Sequence, residues 1–311
     1  MADVLRSKAK NLWFCPGMVI LRAKTLEFQV PLGILSTHSS VFEDLFTLPQ
    51  PPPGESEVVD GIPVVELHDN PEQLQTFLNA IFDPSFFLPP PAVVQLDSII
   101  AVLRLSHKYD VPYLHRRALK HLDAAYPSEL SAYDRRPPVD WKNSVAAIQT
   151  ATEEGELWLL PCAYYDLCSR PIVEMLSSPK WNALGEEQRQ TAIVGHSTLV
   201  QLFPTVLGFL HGRMAGRCED PLPCYRVRAD LASSIFEKSG SATRPLEAYT
   251  SPDDDDSWDE WHCHGVCTRC IEDAKAQHAE ARQDFWDGLT EIFGLPEWGV
   301  LKDLRQTQLA S

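Results

Sequence analysis

Proline limits this chain more than any other residue. Among its 311 residues are 25 prolines, and many of them fall in runs. A helix interior or a central strand cannot absorb such runs, so they mark where regular elements stop. "LPQPPPGESEVVDG" (48–61) contains three consecutive prolines and two glycines and reads as a loop. "PSFFLPPPAVVQ" (84–95) reads as a second insert. In "YPSELSAYDRRPPVDW" (126–141) polar and proline content rise together, which makes it the best place to divide the chain. The length suits two domains, taken here as 1–126 and 127–311.

Before the first loop, Met18–Leu21 is apolar, Arg22–Thr25 is a polar connection and Leu26–Val30 alternates apolar with polar residues. That is the pattern of a β-hairpin with one face buried. "ILSTHSSVFEDLF" (34–46) follows directly. A helical turn is expected from Pro31 to Leu35. A second helix is expected from Ser39 or Ser40, whose hydroxyl can cap the free N–H groups of the first turn. Phe42, Leu45 and Phe46 fall at core spacing. His38 has no paired nucleophile or carboxylate in the pattern and reads as a hydrogen-bonded structural group. "IPVVELHD" (62–69) reads as a third strand, and Asn70-Pro71 as the cap and first position of a helix over 70–83. Two more helices follow, carrying Leu96–His107 and Leu114–Leu122. Beyond 141 the periodicity is helical over 141–154, 157–169, 171–177, 186–214 with a break, 224–237 and 268–293. A flexible acidic linker is expected near 237–261, where "DDDD" occurs. The fold class is therefore α+β: a short β-sheet with a helical cluster, then an all-helical C-terminal domain.

The formal net charge of −16 repels phosphate backbones, so nucleic acid is not an expected partner. The first residues lack an apolar run of signal-peptide type, which points to cytoplasm or nucleus and to reduced cysteines. Residues 192–210 carry no formal charge, but they hold His196, Gln201, Pro204 and several hydroxyls. A buried helix pair, interrupted at Pro204, fits them better than a membrane span.

Chemistry-bearing residues concentrate in the cysteines. "HCHGVCTRC" supplies His262, Cys263, His264, Cys267 and Cys270, and "CEDPLPC" supplies Cys218 and Cys224. Cys267 and Cys270 form a CxxC at a helix start, where the helix dipole favours the thiolate that zinc requires. Cys218, Cys224, Cys267 and Cys270 can close a tetrahedral structural zinc site, with Cys263 or His264 as substitutes for one ligand. The five residues between the first two are wider than a usual knuckle. The competing reading is two unrelated groups of reduced thiols. Cys15, Cys162 and Cys168 read as isolated core or boundary thiols. No phosphate-binding, nucleophile-elbow or zincin motif occurs, so no catalytic and no organic-cofactor residues are assigned.

The order of elements resembles the BTB (POZ) domain, and in particular the BTB proteins of mushroom-forming fungi. The pieces that carry the resemblance are Phe28-Gln29-Val30, "ILSTHSSVFEDLF", "VDGIPVVELHDNPEQLQTFLNAIFDP" and "VLRLSHKYDVPYLHRRALKHL" (102–122). "CTRCIEDAKAQHAEARQDFWDGLTEIFGLPEW" (267–298) resembles the tails of that group. The resemblance implies three short strands with a helical cluster, used for protein–protein contact. Its implied partners are proteins: a second copy of the chain, or a cullin scaffold for which the chain is a ubiquitin-ligase adaptor. The chain departs from the pattern at Pro31-Leu32, where the family usually has His and a basic residue. It departs again at Pro16-Gly17, where an Asp commonly precedes the first strand. Two other readings stand beside the adaptor: a small metal-dependent enzyme using the His/Cys cluster, and a self-associating structural protein.

Overall fold

A computed structural model describes residues 17–47, 57–211, 218–237, 243–247, 249 and 255–310, without the side chains of 235–237 and 255–257. The chain divides into two compact units. The first runs to Ala124 and takes in the last residues from Thr307; the second is Ala125–Gln306.

The first unit is α+β. Strand β1 (Met18–Ala23) pairs antiparallel with β2 (Leu26–Pro31). Helices α1 (Leu32–His38) and α2 (Ser40–Thr47) follow. Then come β3 (Val58–Val59) and β4 (Ile62–Leu67), joined by Asp60-Gly61 with both residues at positive φ. That Asp-Gly turn is the kind whose twist suits a tight hairpin. The sheet order is β2-β1-β4-β3, and β1 lies parallel to β4 with Ile20 opposite Val64. A parallel neighbour needs a crossover connection, and α1 and α2 lie on it. The central strand β1 buries Val19, Ile20, Leu21 and Ala23, an apolar run interrupted only by Arg22, as in a strand covered on both faces. The resemblance implied three strands. The fourth, β3, lies at the end of the stretch read as loop, of which 48–56 fall outside the described residues.

Helices α3 (Pro71–Phe82), α4 (Leu96–Lys108) and α5 (Pro112–Ala125) complete the unit. Asn70 caps α3, its Oδ1 accepting from the N–H groups of Glu72 and Gln73 at 3.0 and 3.1 Å. The Ser/His stretch is joinery. Ser39 Oγ accepts from the Phe42 N–H at 3.0 Å and donates to the Tyr109 carbonyl, and Ser40 donates to Asp110. Phe42 is fully buried and stacks on Tyr109, ring centroids 4.6 Å apart. Leu45 and Phe46, expected in the core, are only half-buried. The Tyr109 hydroxyl in turn donates to Asp69.

The second unit is helical among its described residues. Helix α6 (Leu130–Arg135) falls within the stretch chosen to divide the chain, and it buries Leu130 and Tyr133. Next are α7 (Lys142–Glu154), a 3-10 turn (Leu157–Leu159), α8 (Leu160–Cys168), α9 (Ile172–Ser177) and a 3-10 turn (Trp181–Ala183). Every residue of α8 is buried, Cys162 and Cys168 included; Cys15 lies outside the described residues. Helix α10 (Glu186–Val206) runs through Pro204, and the break comes at Leu207, before α11 (Gly208–His211). The carbonyl that Pro204 cannot reach belongs to Val200, on the exposed side of the helix, so little is lost there. Gly195 sits inside α10 because a Cβ would come within 2.3 Å of the Phe293 ring. Among the described residues no helix is long and apolar enough to cross a membrane.

The remaining elements are α12 (Pro221–Glu237), a 3-10 turn (Pro245–Glu247), α13 (Asp255–Cys263), α14 (Thr268–Asp287), α15 (Leu289–Ile292) and α16 (Trp298–Ala310). The acidic linker expected near 237–261 is thus corrected in part. Residues 238–242, 248 and 250–254 lie outside the described residues, while α13 packs Trp258 and Trp261 into the core. Burying two indoles outweighs the solvation that the neighbouring carboxylates prefer.

Candidate metal centre

Two helix starts bring the four cysteines together. Cys218 precedes α12 and Cys224 lies in its first turn. Cys267 is the N-cap residue of α14 and Cys270 lies in its first turn. The four sulfurs all lie within 4.8 Å of one another, and those of Cys267 and Cys218 are 4.0 Å apart. A tetrahedron with Zn–S bonds of about 2.3 Å places its sulfurs about 3.8 Å from each other, so the set needs to contract by no more than about 1 Å to close on zinc. Its donors are all soft, and a fourfold thiolate set leaves no position for substrate.

The surroundings favour thiolates. Both helix N-termini present their positive dipole ends to the sulfurs. The N–H of Cys267 donates to Cys224 Sγ at 3.3 Å. Burial pushes the Cys267 thiol up. Hydrogen bonds from the Glu219 and Cys270 N–H groups, and those with the Cys270 and Cys224 sulfurs, outweigh that and lower its pKa to about 7. Cys224 is raised, chiefly by burial. Beneath the sulfurs lies an apolar cluster that includes Phe203, Phe209, Trp258, Trp261, Val266 and Ile271.

The proposed substitutes do not join the set. Cys263 ends α13 and is exposed. His264 is also exposed, its Nε2 3.8 Å from a Glu260 oxygen. Trp258 and Trp261 fix which face of α13 is buried. Cys263 is two residues beyond Trp261, about 200° round the helix, and so faces away.

One participant is absent from the sequence reading. Arg228 is 2 % exposed and donates to the Phe209 carbonyl. Burial pulls its pKa below the usual guanidinium value, opposed by Cys270, Asp273, Cys224 and Cys218. Its charge therefore interacts with three of the four thiols. Arg228 follows Cys224 by four residues, which places both on one face of α12. A search for basic residues at that spacing from each cysteine finds it.

A different buried polar group lies nearby in sequence. His278 of α14 is fully buried, and neither ring nitrogen has a hydrogen-bond partner among the described residues. Its ring sits 4.8 Å from Phe209, 5.7 Å from Tyr249 and 6.4 Å from Trp258. Burial first, and the Arg282 charge second, lower its pKa to about 3.

Comparison with known proteins finds no matching family model and no matching curated protein.

Proposed function

We propose that the chain is a non-enzymatic protein-interaction module: a BTB-like N-terminal unit that contacts the partner, and a helical unit stapled by one structural zinc. The element order of the first unit supports the interaction reading. A hairpin, a helix pair, a strand returning parallel to the first and a helical cluster follow the order on which the BTB resemblance rests. The partner is a cullin-type scaffold, and the chain is its substrate adaptor. Pro31 carries no N–H and stands where the family has His, at the junction of β2 and α1. In the family that His and the basic residue after it help build the surface groove or the dimer contacts, so their loss here weighs against both groove binding and self-association. The zinc reading is carried by one observation, the convergence of four cysteine sulfurs. A closed thiolate set also argues against the metal-dependent enzyme, which needs an open position.

The interaction reading is tested by affinity purification of the full chain from a native host with mass spectrometry, and by light scattering of the purified chain. Recovery of a cullin with a monomeric product supports the adaptor. A product containing only copies of this chain overturns it. For the metal, elemental analysis is expected to give one zinc per chain, lost in Cys267→Ser/Cys270→Ser. Absence of zinc from protein purified without chelator overturns the staple.

A further inference from the structure

A cavity of about 320 Å³ opens in the second unit and shares no lining residue with the cysteine centre. Pocket volumes for small ligands begin near this size. Its walls contain Arg136, Arg170 and Arg244 as well as Asp134, Asp166 and Glu247. The pairing among these groups is what matters.

All three carboxylates are engaged. Both oxygens of Asp166 accept from Arg136, at 2.8 and 2.5 Å. Both oxygens of Asp134 accept from Arg282, at 3.1 and 2.5 Å. Glu247 accepts from the Tyr133 hydroxyl on one oxygen and from the Tyr165 hydroxyl, at 2.7 Å, on the other. Two of the guanidiniums are not so engaged. Arg170 makes no hydrogen bond or ion pair among the described residues, although its charge is felt at Asp166. It lies over the Trp141 ring, 6.0 Å from the centroid. Arg244 Nε is 3.8 Å from Glu247 Oε2, too far for a hydrogen bond. Among the described residues both Nε–H groups are shielded from solvent and lack an acceptor. A shielded donor without a partner is costly, here for the Nε–H rather than the whole guanidinium, since the Arg244 side chain is 40 % exposed.

Among the described residues the lining holds three guanidiniums and three carboxylates, and Arg282, bound to Asp134 from outside the lining, makes a fourth guanidinium. This is a local excess of one positive charge in a chain whose net charge is −16. The remaining wall is apolar: Pro137, Pro138, Val139 and the face of Trp141. Asp140 on the same loop is turned back, its Oδ1 accepting from the Lys142 N–H at 3.0 Å.

We infer that this cavity binds an organic monocarboxylate with an apolar or aromatic body. The carboxylate is received by Arg170 and Arg244, and the body lies against Pro137, Pro138 and Trp141. One carboxylate balances the one excess charge. Its planar oxygens match the guanidinium fork. The aromatic and proline faces supply apolar contact that a bare anion cannot use.

The test is a ligand-observed and protein-observed NMR titration of the full, zinc-loaded chain at low ionic strength, with phenylacetate as the probe. Acetate, phenyl phosphate and benzyl alcohol serve as comparisons. Phenylacetate is expected to bind at least about tenfold more tightly than acetate or benzyl alcohol, since each lacks one half of the recognition. Arg170→Gln and Arg244→Gln are each expected to weaken it by about tenfold, the effect of losing one charge-assisted hydrogen bond. Among the described residues neither guanidinium makes a hydrogen bond, and the one ion pair, Arg244 with Glu247 at 3.8 Å, is partly exposed and weak, so the two variants should keep close to the parent melting temperature, and a folding defect in one leaves the other as the readout. No saturable phenylacetate binding overturns the site, as does equal affinity in both folded variants. Tighter binding of phenyl phosphate overturns the monocarboxylate assignment.

Discussion

The two units of this chain bury different kinds of side chain. In the first, the interior is aliphatic and aromatic, with Phe42, Phe77 and Tyr109 stacked on one another. Its buried polar residues among those described are Ser39, Ser106 and His121, and Ser39 is satisfied by capping and the Tyr109 carbonyl. The second unit buries a bidentate Arg136–Asp166 pair, Arg228, His278 and two of the four clustered cysteines. The first interior holds no cysteine cluster for a chelator to empty among the described residues, and its one buried imidazole there, His121, is hydrogen-bonded to the Leu88 carbonyl. An interior holding charges, an unpartnered imidazole and thiolates depends on protonation state and, under the zinc reading, on metal supply.

The largest separation is expected from metal removal. Structural zinc in small domains contributes on the order of 10 kcal/mol, which exceeds the stability of most domains. Hydrogen exchange read peptide by peptide should therefore show α12 and α14 losing protection on chelation, while β1, β4 and α3 keep theirs. Equal loss in both units would erase the contrast.

Next in size are two deletions with similar cost and opposite response to repair. Phe42→Ala in the first unit and Asp166→Ala in the second are each expected to cost about 3–5 kcal/mol in denaturant unfolding. The first removes apolar volume; the second strands the Arg136 charge. Replacing Arg136 by Met in the Asp166→Ala background should recover most of the loss, because no buried charge then remains. Failure of that double variant to recover would mean that the pair's shape, not its charge, is what the second unit needs.

A smaller effect is expected on acidification. Folded His278 stays neutral to about pH 3, while the unfolded ring takes a proton near 6.5. Between those values the unfolded state binds the extra proton, so stability falls as the solution is acidified, with a limiting slope of about 1.4 kcal/mol per pH unit. His278→Phe should flatten that limb of the stability–pH curve and leave the neutral plateau no lower. The smallest effect is Ser39→Ala, about 1 kcal/mol from the lost cap, read as a modest drop in the urea midpoint and independent of metal.

The same contrast explains what could be read from sequence. The first unit follows local rules: alternation gave the β1–β2 hairpin, and Asn70-Pro71 gave the start of α3. The one local signal passed over was Asp60-Gly61, hidden at the end of a proline-rich stretch. In the second unit the four clustered cysteines were legible from CxxC at a helix start and a second cysteine pair, and Pro204 misled only about where α10 breaks. Helix α13 was missed because its carboxylates dominate the pattern, although Trp258 and Trp261 are spaced as one buried face. That error left Cys263 and His264 as open alternatives. Arg228 was legible too, four residues after Cys224, but went unread; the Arg170–Arg244 cavity depends on which helices become neighbours, and no local pattern fixes that.

The cysteine centre also orders events in time. Cys218 and Cys267 stand 49 positions apart. Closing a flexible loop of that size costs about 3.5 kcal/mol of chain entropy before any contact rewards it. During synthesis the centre cannot assemble until Cys270 has emerged, whereas every strand of the first unit is complete by Leu67. Most of the first unit can therefore be folded while the second still awaits its last two sulfurs, and an arrested or truncated chain ending before Cys267 would carry an N-terminal unit lacking only its residues from Thr307 onward, on an unclosed helical tail.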